Sequence, residues 1–299
     1  MKIQTLKRDF PLHIMLFVPV IFLIVYCYWP MVGILMAFED FIPTKGFFGS
    51  RFVGLENFKY IFSMPDTLSI VWNTFFIAIM KIAIKIIIPL VFALLLNEVG
   101  KAWFKKLVQT ITYFPYFLSW VVLGGILLDF FSPSDGLVNK FLNLLGKQSF
   151  YFFGDEKAFP FMVVLTEVWK NMGFNTIIFL AAITGIDPAR YEAAIVDGAG
   201  RWKQTIYVTI PGIAGMIVLV SILAMGNILN AGFDQIFNLY SPLVYSTGDI
   251  IDTFVYRTAL LDGQFNIGTA AGLFKSAISF VMITLSYTIA NKYSNYRVF

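Results

Sequence analysis

The stretch that decides the fold is Ser69–Asn97, SIVWNTFFIAIMKIAIKIIIPLVFALLLN, in which Lys81 and Lys85 are the only charged residues. A helix of about 20 apolar residues crosses a hydrocarbon core about 30 Å thick. A membrane β-strand would instead show alternating polarity over roughly ten residues. The apolar character of this stretch is continuous, and it therefore predicts a membrane-spanning helix.

The composition of the whole chain agrees with this. Of its 299 residues, 58% are hydrophobic, 18% aromatic and only 13% charged, and the mean hydropathy is +0.76. Soluble domains carry about 45–50% apolar and about 25% charged residues. The net charge of +4 bears on topology in such a chain and does not indicate nucleic-acid binding. We therefore predict an all-α membrane protein.

Six apolar runs are long enough to span. We predict that residues 1–299 form a single transmembrane domain with helices at about Leu12–Phe38, Ser69–Asn97, Leu107–Phe131, Phe159–Ile183, Ile206–Ala231 and Ala271–Ala290. The first run follows basic residues, as a signal peptide does, but it is longer and lacks a small-residue cleavage site, so we expect it to be retained. Pro115 is expected to kink the third helix.

Basic residues in the short connecting segments set the orientation. With the N-terminus inside, the inner segments hold more Lys and Arg than the outer loops, although they are shorter in total. Both termini and the polar stretch Asp187–Pro211 are therefore expected to be cytoplasmic.

The chain lacks the residues for several kinds of chemistry. It has one cysteine, Cys27, which excludes an internal disulfide. With a single histidine, His13, we predict no Ser/His/Asp triad, and a metal site would lack its usual ligands. A phosphate-binding loop needs GxxxxGK followed by Ser or Thr, whereas Gly100-Lys101 precedes Ala102 and Gly146-Lys147 precedes Gln148. We predict a non-catalytic chain without its own cofactor.

Polar residues inside the predicted spans are candidates for a solute path. Lys81 and Lys85 are four residues apart and share a helix face. A lysine at the centre of a span costs about 2.5–3.5 kcal/mol to insert. The two lysines either line a polar path that tolerates acidic cargo, or extend to the interface or form a structural ion pair.

The other candidates for the same path are a tryptophan, whose indole ring stacks on sugar rings, and several asparagines, whose amides match hydroxyl groups. They are Trp169, Asn171 and Asn175 in the fourth run, and Asn227 and Asn230 at the end of the fifth. Hydrogen bonding between helices is an equally good explanation for them.

Two outer segments are unusual. Phe38–Phe62 is rich in aromatics and turn-forming glycines, which suits either a loop on the membrane surface or a contact with an external partner. The segment 231–270 is long for a plain connector, and a gate or lid where cargo is handed over is one role that suits it.

The polar stretch Asp187–Pro211 reads DPARYEAAIVDGAGRWKQTIYVTIP. Asp187 is a good N-cap and Pro188 a good first helical residue. Gly198 is a typical residue just beyond a helix end. The sequence predicts a short capped helix followed by a turn into the fifth span.

This stretch resembles the EAA loop of permease subunits of bacterial ATP-binding-cassette (ABC) importers. The resemblance rests on Glu192-Ala193-Ala194, then Gly198, Val208 and Ile210-Pro211. The family usually has Ile in place of Val208 and Leu in place of Ile210, and both departures are conservative. The preceding Asp187-Pro188 and the run Asp197-Gly198-Ala199 resemble the carbohydrate-uptake branch.

The resemblance covers nearly the whole chain. FEDFIPTKGFFGSRFVGLENF at 38–58, TITYFPYFLSWVV at 110–122 and DTFVYRTALLDGQFNIGTAAGLFKS at 252–276 are similar to permeases for complex oligosaccharides, the group that includes alginate and plant-polysaccharide importers. It implies a type I importer-like permease with a cytoplasmic coupling helix, in the bacterial plasma (inner) membrane. It also implies that Glu192, Ala193, Ala194, Asp197, Gly198 and Ala199 couple the chain to an ATPase.

The resemblance further implies partners. They are a second, similar but different permease subunit, two cytoplasmic ATPase subunits that hold ATP and Mg, and an extracytoplasmic solute-binding protein that meets Phe38–Phe62 and Phe233–Gly268. The alternative is a secondary sugar transporter without ATPase partners. Such proteins usually show internal repeats and ion-coupling carboxylates at the midplane, whereas Glu167 is the only clear acid inside a predicted span.

Overall fold

The computed structural model describes residues 2–225 and 229–294, and helices dominate both stretches. By backbone contacts the chain forms two compact units. The first contains Met1–Met64 with Val255–Phe274, and the second contains Pro65–Phe254 with Lys275–Phe299.

The first unit begins with a long helix. α1 covers Lys2–Leu23 and continues through a π-helical turn, Ile24–Tyr28, into the 3₁₀ segment Trp29–Phe38. Leu12–Phe38 is long and apolar enough to span, and none of its most apolar window is buried within the described chain. The whole circumference of that window is therefore available to lipid or to another protein.

The aromatic loop after this helix is ordered. β1 (Glu39–Asp40) pairs antiparallel with β2 (Arg51–Phe52), and the short helices α2 (Gly46–Gly49) and α3 (Glu56–Ser63) complete it. The buried Asn57 donates from Nδ2 to the carbonyls of Ala37 and Glu39 at 3.0 and 2.9 Å and accepts from Asn266 Nδ2 at 3.0 Å. One side chain thus satisfies the backbone at the end of the first span.

The second unit is built on two long helices, α4 (Thr67–Asn97) and α8 (Phe159–Thr184). One apolar cluster around Ile77, Leu123 and Val163 lies toward the N-terminal ends of these helices, and a second around Ala93 and Phe179 lies toward their C-terminal ends. Between them remains a cavity.

The other helices of this unit are shorter. They are α5 (Ala102–Tyr113), α6 (Trp120–Phe130), α7 (Leu137–Leu144), α9 (Pro188–Val196), α10 (Arg201–Gln204), α11 (Ile210–Gly212), α12 (Ala214–Met225), α13 (Phe233–Leu239), α14 (Tyr245–Gly248) and α15 (Ile251–Val255). The 3₁₀ segments Phe114–Phe117 and Pro242–Val244 and the π-helical segment Thr205–Thr209 join some of them. The π-helical segment Tyr256–Leu261 belongs to the first unit. α16 covers Phe265–Ser294.

The described residues hold the six predicted spans as candidates, but three of them are bent. Among the described residues, three helices are long and apolar enough to span on their own, and three more spans require a bent pair of helices. The predicted helix Leu107–Phe131 is broken, because Ala102–Phe117 and Trp120–Phe130 meet at 106°. The run Ile206–Ala231 is likewise bent by 58° between Arg201–Gly212 and Ala214–Met225.

Proline explains these bends only in part. Pro115 lies in the 3₁₀ turn that ends the first half of the third run, and Pro211 precedes the bend in the fifth. Pro89 lies inside α4 without ending it. Proline removes its own N–H donor and its ring crowds the preceding turn, and neighbouring groups can satisfy the backbone that it frees.

The segment predicted as a gate or lid contains short helices, and its role stays a prediction. Residues 233–254 form short helices packed into the second unit, and Gln235, Ile236 and Ile250 are fully buried. Asn73 of α4 donates from Nδ2 to the carbonyls of Ser246 and Asp249 at 3.0 and 3.2 Å. α16 also begins at Phe265, six residues before the predicted Ala271, so the connector is shorter than expected.

Candidate functional site

The predicted polar stretch forms a short helix, α9, which leaves α8 at an angle of 69°. Asp187 is its N-cap, because its Oδ1 accepts a hydrogen bond from the N–H of Ala189 at 3.0 Å. Pro188 is the first helical residue, where its missing N–H costs nothing. The start of the helix is therefore as predicted.

The end of α9 also follows the prediction. Gly198 has a φ of +76°. The N–H of Ala199 donates to the carbonyl of Ala194 at 2.8 Å, and the N–H of Gly198 to that of Ile195 at 3.0 Å, which is a Schellman motif. No atom lies within 4 Å of a Cβ built on Gly198, so glycine is needed for its conformation and not for space.

Side-chain contacts brace α9 against its surroundings. The hydroxyls of Tyr191 and Thr209 are 2.9 Å apart, and Gln204 Nε2 donates to the carbonyl of Ala199 at 2.8 Å. Arg201 Nη1 lies 3.0 Å from Glu98 Oε2, at the end of α4. These contacts link the segment to the helix that follows it and to the end of α4.

The outer surface of this segment is apolar and uncovered. Ile195, Val196 and Trp202 are 61%, 87% and 76% exposed. The predicted coupling residues lie on the same segment. Glu192, Ala193, Asp197 and Gly198 are exposed, and Ala194 and Ala199 are half-buried. Exposed apolar side chains rimmed by polar residues are typical of a protein-docking surface.

The second feature is a cavity of about 690 Å³ within the second unit, bordered by α4, α8, α12 and α13. It has both charged and polar walls. The lining includes Lys81, Lys85, Trp120, Glu167, Asn175 and Asn230. A volume in this range is typical of small-molecule sites.

Lys81 borders the cavity, but its ammonium group is already bound. Its Nζ donates to the carbonyl of Ala231 and to Gln235 Oε1, each at 2.5 Å, and the residue is only 6% exposed. Gln235 Nε2 in turn donates to the carbonyl of Val163 and to Thr166 Oγ1, at 2.7 and 2.8 Å. Lys81 therefore helps to hold α13 between α4 and α8.

The sequence did not identify Gln235 as the hydrogen-bond partner of Lys81. The available signal was indirect: a lysine at membrane depth needs an acceptor, and a glutamine beside apolar residues can supply one.

Lys85 is placed differently. Its side chain is 42% exposed, and its Nζ lies 3.9 Å from Oε1 of Glu167, whose side chain is 16% exposed. This is the ion pair that was one of the two explanations for the lysines. The contact is long and Lys85 borders the cavity, so its charge can also meet a solute there.

The remaining predicted path residues divide into two groups. Asn175 and Asn230 border the cavity, and Asn175 Nδ2 is buried without a hydrogen-bond partner in the described chain. Trp169 and Asn171 are not among the lining residues, and Asn171 donates to the carbonyl of Glu167 at 2.9 Å. Asn227 lies outside the described residues. Contact of any of them with cargo stays a prediction.

Comparisons with known proteins agree with this architecture. The profile of a family described as "Binding-protein-dependent transport system inner membrane component" matches residues 85–298. The chain is 38% identical to Protein LplB of Bacillus subtilis (strain 168), over 98% of this chain and 92% of that protein. It is 37% identical to the polygalacturonan/rhamnogalacturonan transport system permease protein YteP of the same strain, over 96% and 90%.

Solved structures give the same result. The chain is similar to a crystal structure of a bacterial ABC transporter involved in the import of the acidic polysaccharide alginate. The TM-score is 0.91, and the sequences are 34% identical over 97% of this chain and 98% of the other. A second structure, the alginate transporter in complex with an alginate pentasaccharide-bound periplasmic protein, has a TM-score of 0.89. The predicted family, fold class and non-enzymatic role are confirmed. The chain belongs to the family of binding-protein-dependent transport system inner membrane components, the permease subunits of ABC importers.

Proposed function

We propose that this chain forms half of the path by which an acidic oligosaccharide is imported, and that Asp187–Pro211 couples that path to ATP hydrolysis on separate subunits. The observation that carries the proposal is the braced, capped α9 with an uncovered apolar surface, in a chain with a polar cavity between its long helices. The whole of residues 1–299 acts as one permease domain, and the family match crosses both units.

Two independent observations favour an acidic oligosaccharide as the cargo. Lys85 offers a partly exposed positive charge to the cavity, held only by a long contact with Glu167. Two proteins that the chain resembles are named for acidic polysaccharides, polygalacturonan in one case and alginate in the other. A carboxylate on a sugar ring would compete with Glu167 for the ammonium group of Lys85.

The partners follow from what one chain cannot do alone. The sequence contains no phosphate-binding loop, so two ATPase subunits supply ATP and Mg. A second, similar permease subunit completes the path, and a solute-binding protein delivers cargo to the outer segments Phe38–Phe62 and Phe233–Gly268. Both termini and Asp187–Pro211 lie on the cytoplasmic side, as the distribution of basic residues favours.

The coupling residues have distinct tasks. Glu192 makes the polar contact with an ATPase subunit, and Ala193 and Ala194 let the two surfaces approach closely. Asp197, Gly198 and Ala199 form the turn that fixes the direction of the chain after α9. Closure of the ATPases shifts the permease only if α9 binds them differently in the two states. Tyr191 links α9 to the following helix, and Arg201 of α10 links the same segment to the end of α4, so displacement of the segment is passed to those helices.

The test of the cargo assignment compares two lysines of the same cavity. In vesicles with the complete transporter, Lys85→Gln is expected to raise KM for an acidic pentasaccharide about tenfold, a difference of about 1.4 kcal/mol, and to leave that for a neutral pentasaccharide unchanged. Lys81→Gln is the matched control, because its ammonium group is bound within the unit. We expect that change to lower uptake of both sugars equally. Equal loss of both sugars in Lys85→Gln would contradict the assignment.

A further inference from the structure

The break in the third span exposes backbone that the membrane cannot satisfy. Ala102–Phe117 and Trp120–Phe130 qualify as a span only together, and they meet at 106°. The last four carbonyls of a helix have no partner within it. An unsatisfied carbonyl in the hydrocarbon region costs several kcal/mol, so a break inside a span needs donors from elsewhere.

Lys170 of α8 supplies those donors. The residue is only 7% exposed, and its Nζ donates to the carbonyls of Pro115, Tyr116 and Leu118 at 3.2, 2.8 and 2.5 Å. An ammonium group has three donors, so its capacity is used completely. The positive charge also lies at the C-terminal end of a helix, where the helix dipole favours a cation.

Two aromatic rings complete the environment of this lysine. Its Nζ lies 5.7 Å from the ring centre of Tyr116 and 5.6 Å from that of Trp120, within the range of cation–π attraction. The ring of Tyr116 stacks on Phe174 of α8 at 4.1 Å, with 4° between the ring planes. The break is therefore fastened to α8 by one charge and one stacked ring pair.

Trp120 connects this arrangement to the cavity. It is the first residue of α6, directly after the N-cap Ser119, and its side chain borders the cavity. Its position therefore depends on the direction in which α6 leaves the break. The contact of Lys170 with the Trp120 ring sets that direction from the α8 side.

We propose that Lys170 is a positioning residue for transport, which fixes the break between Ala102–Phe117 and Trp120–Phe130 and thereby the place of Trp120 in the cavity wall. The fixed joint makes α6 follow α8 when the transporter changes state. This role rests on the proposed function, since it concerns movement during import. The geometry of the joint itself can be measured without any transported solute.

The geometric test measures a distance across the break in the purified complex. Spin labels are placed at Thr110→Cys and Gly125→Cys, two exposed positions on either side, in a chain whose one cysteine is removed by Cys27→Ala. We expect one narrow distance distribution in the otherwise unchanged protein and a broadened or shifted one with Lys170→Met. Lys170→Arg keeps charge and donors and should restore the narrow distribution. An unchanged distribution in Lys170→Met would overturn the proposal.

The functional test uses an acidic pentasaccharide as the probe. Per assembled complex, we expect Lys170→Met to lower its kcat for uptake about tenfold, while basal ATP hydrolysis remains within about twofold. Lys147→Met, a change of an exposed lysine in an outer loop, is the control for loss of a positive charge. If Lys170→Met lowers only the amount of complex and not the uptake per complex, Lys170 is merely structural and the proposal fails.

Two further results keep the test decisive. If Lys170→Met does not accumulate, Lys170→Gln retains two N–H donors without the charge and is expected to give an intermediate distance distribution and intermediate uptake. If the unchanged complex imports no acidic pentasaccharide, the proposed cargo is wrong, and the distance measurement still decides whether Lys170 fixes the joint.

Discussion

Replacing Gly173 with alanine is expected to destabilise the second unit by about 3 kcal/mol, at the upper end of the cost of overpacking. A Cβ at this position would lie 2.3 Å from the carbonyl oxygen of Thr112 and 2.6 Å from Cδ1 of Tyr113. The closest neighbour is backbone and cannot rotate away. Small residues let membrane helices approach closely, and here one allows α5 to pack on α8.

The measurement is the yield and thermal unfolding of the complex in detergent, and we expect a large loss of both with Gly173→Ala. Gly125→Ala is the matched control. Gly125 lies in α6, beside the same break, and no atom of the described chain lies within 4 Å of its added Cβ. Since alanine has the higher helix propensity, the control should be neutral or slightly stabilising. Equal behaviour of the two variants would show that close approach at Gly173 is unimportant.

Replacing Gly198 with valine is expected to separate ATP hydrolysis from uptake. A residue with a side chain held at a φ of +76° costs about 1–3 kcal/mol, and a β-branched residue lies at the upper end. The turn after α9 would relax, and the orientation of the docking surface would be lost. We expect uptake per ATP hydrolysed to fall at least about tenfold, since 1.4 kcal/mol corresponds to a factor of ten.

The control for this change lies two residues further on. Gly200 has a φ of −67° and a ψ of 166°, which any residue adopts, and its added Cβ also meets nothing within 4 Å. Gly200→Val should therefore keep the normal ratio of uptake to hydrolysis. A loss of coupling in both variants would assign the effect to the bulk of valine and not to the backbone conformation.

The sequence predicted best what local chemistry determines. The N-cap at Asp187, the first helical residue Pro188 and the left-handed Gly198 all depend on neighbours within a few residues, and the structure has each of them. The unbroken helix at Thr67–Asn97 follows from its apolar length alone. These features need no knowledge of tertiary contacts.

The kink at Pro115 was predicted, but the sharpness of the break was not, because its backbone depends on distant donors. Pro115 ends a helix and Pro89 does not, although both follow apolar residues. At the break, the ammonium group of Lys170, 55 residues after Pro115, donates to the carbonyls of Pro115, Tyr116 and Leu118. Nothing in the sequence pairs this lysine with those carbonyls.

The residues that line the candidate cavity were predicted only in part, because the lining also depends on tertiary packing. Lys85, Asn175 and Asn230 line it as expected of path residues, whereas Trp169 on the same helix as Asn175 does not. Helix periodicity states which residues share a face, but it does not state which face meets the cavity. Which face meets the cavity depends on how α13 packs, and Gln235 of α13 bonds to Lys81 of α4 and Thr166 of α8.

The most direct test of the account is whether Asp187–Pro211 touches an ATPase subunit. In a Cys27→Ala chain, a photo-activated cross-linker on Glu192→Cys is expected to capture an ATPase subunit in the assembled transporter, with a yield that changes between the ATP-bound and nucleotide-free states. The same reagent on Lys147→Cys, in the outer loop, should capture none. Capture of the solute-binding protein from position 192, or an ATPase yield no higher than from position 147, would contradict the account.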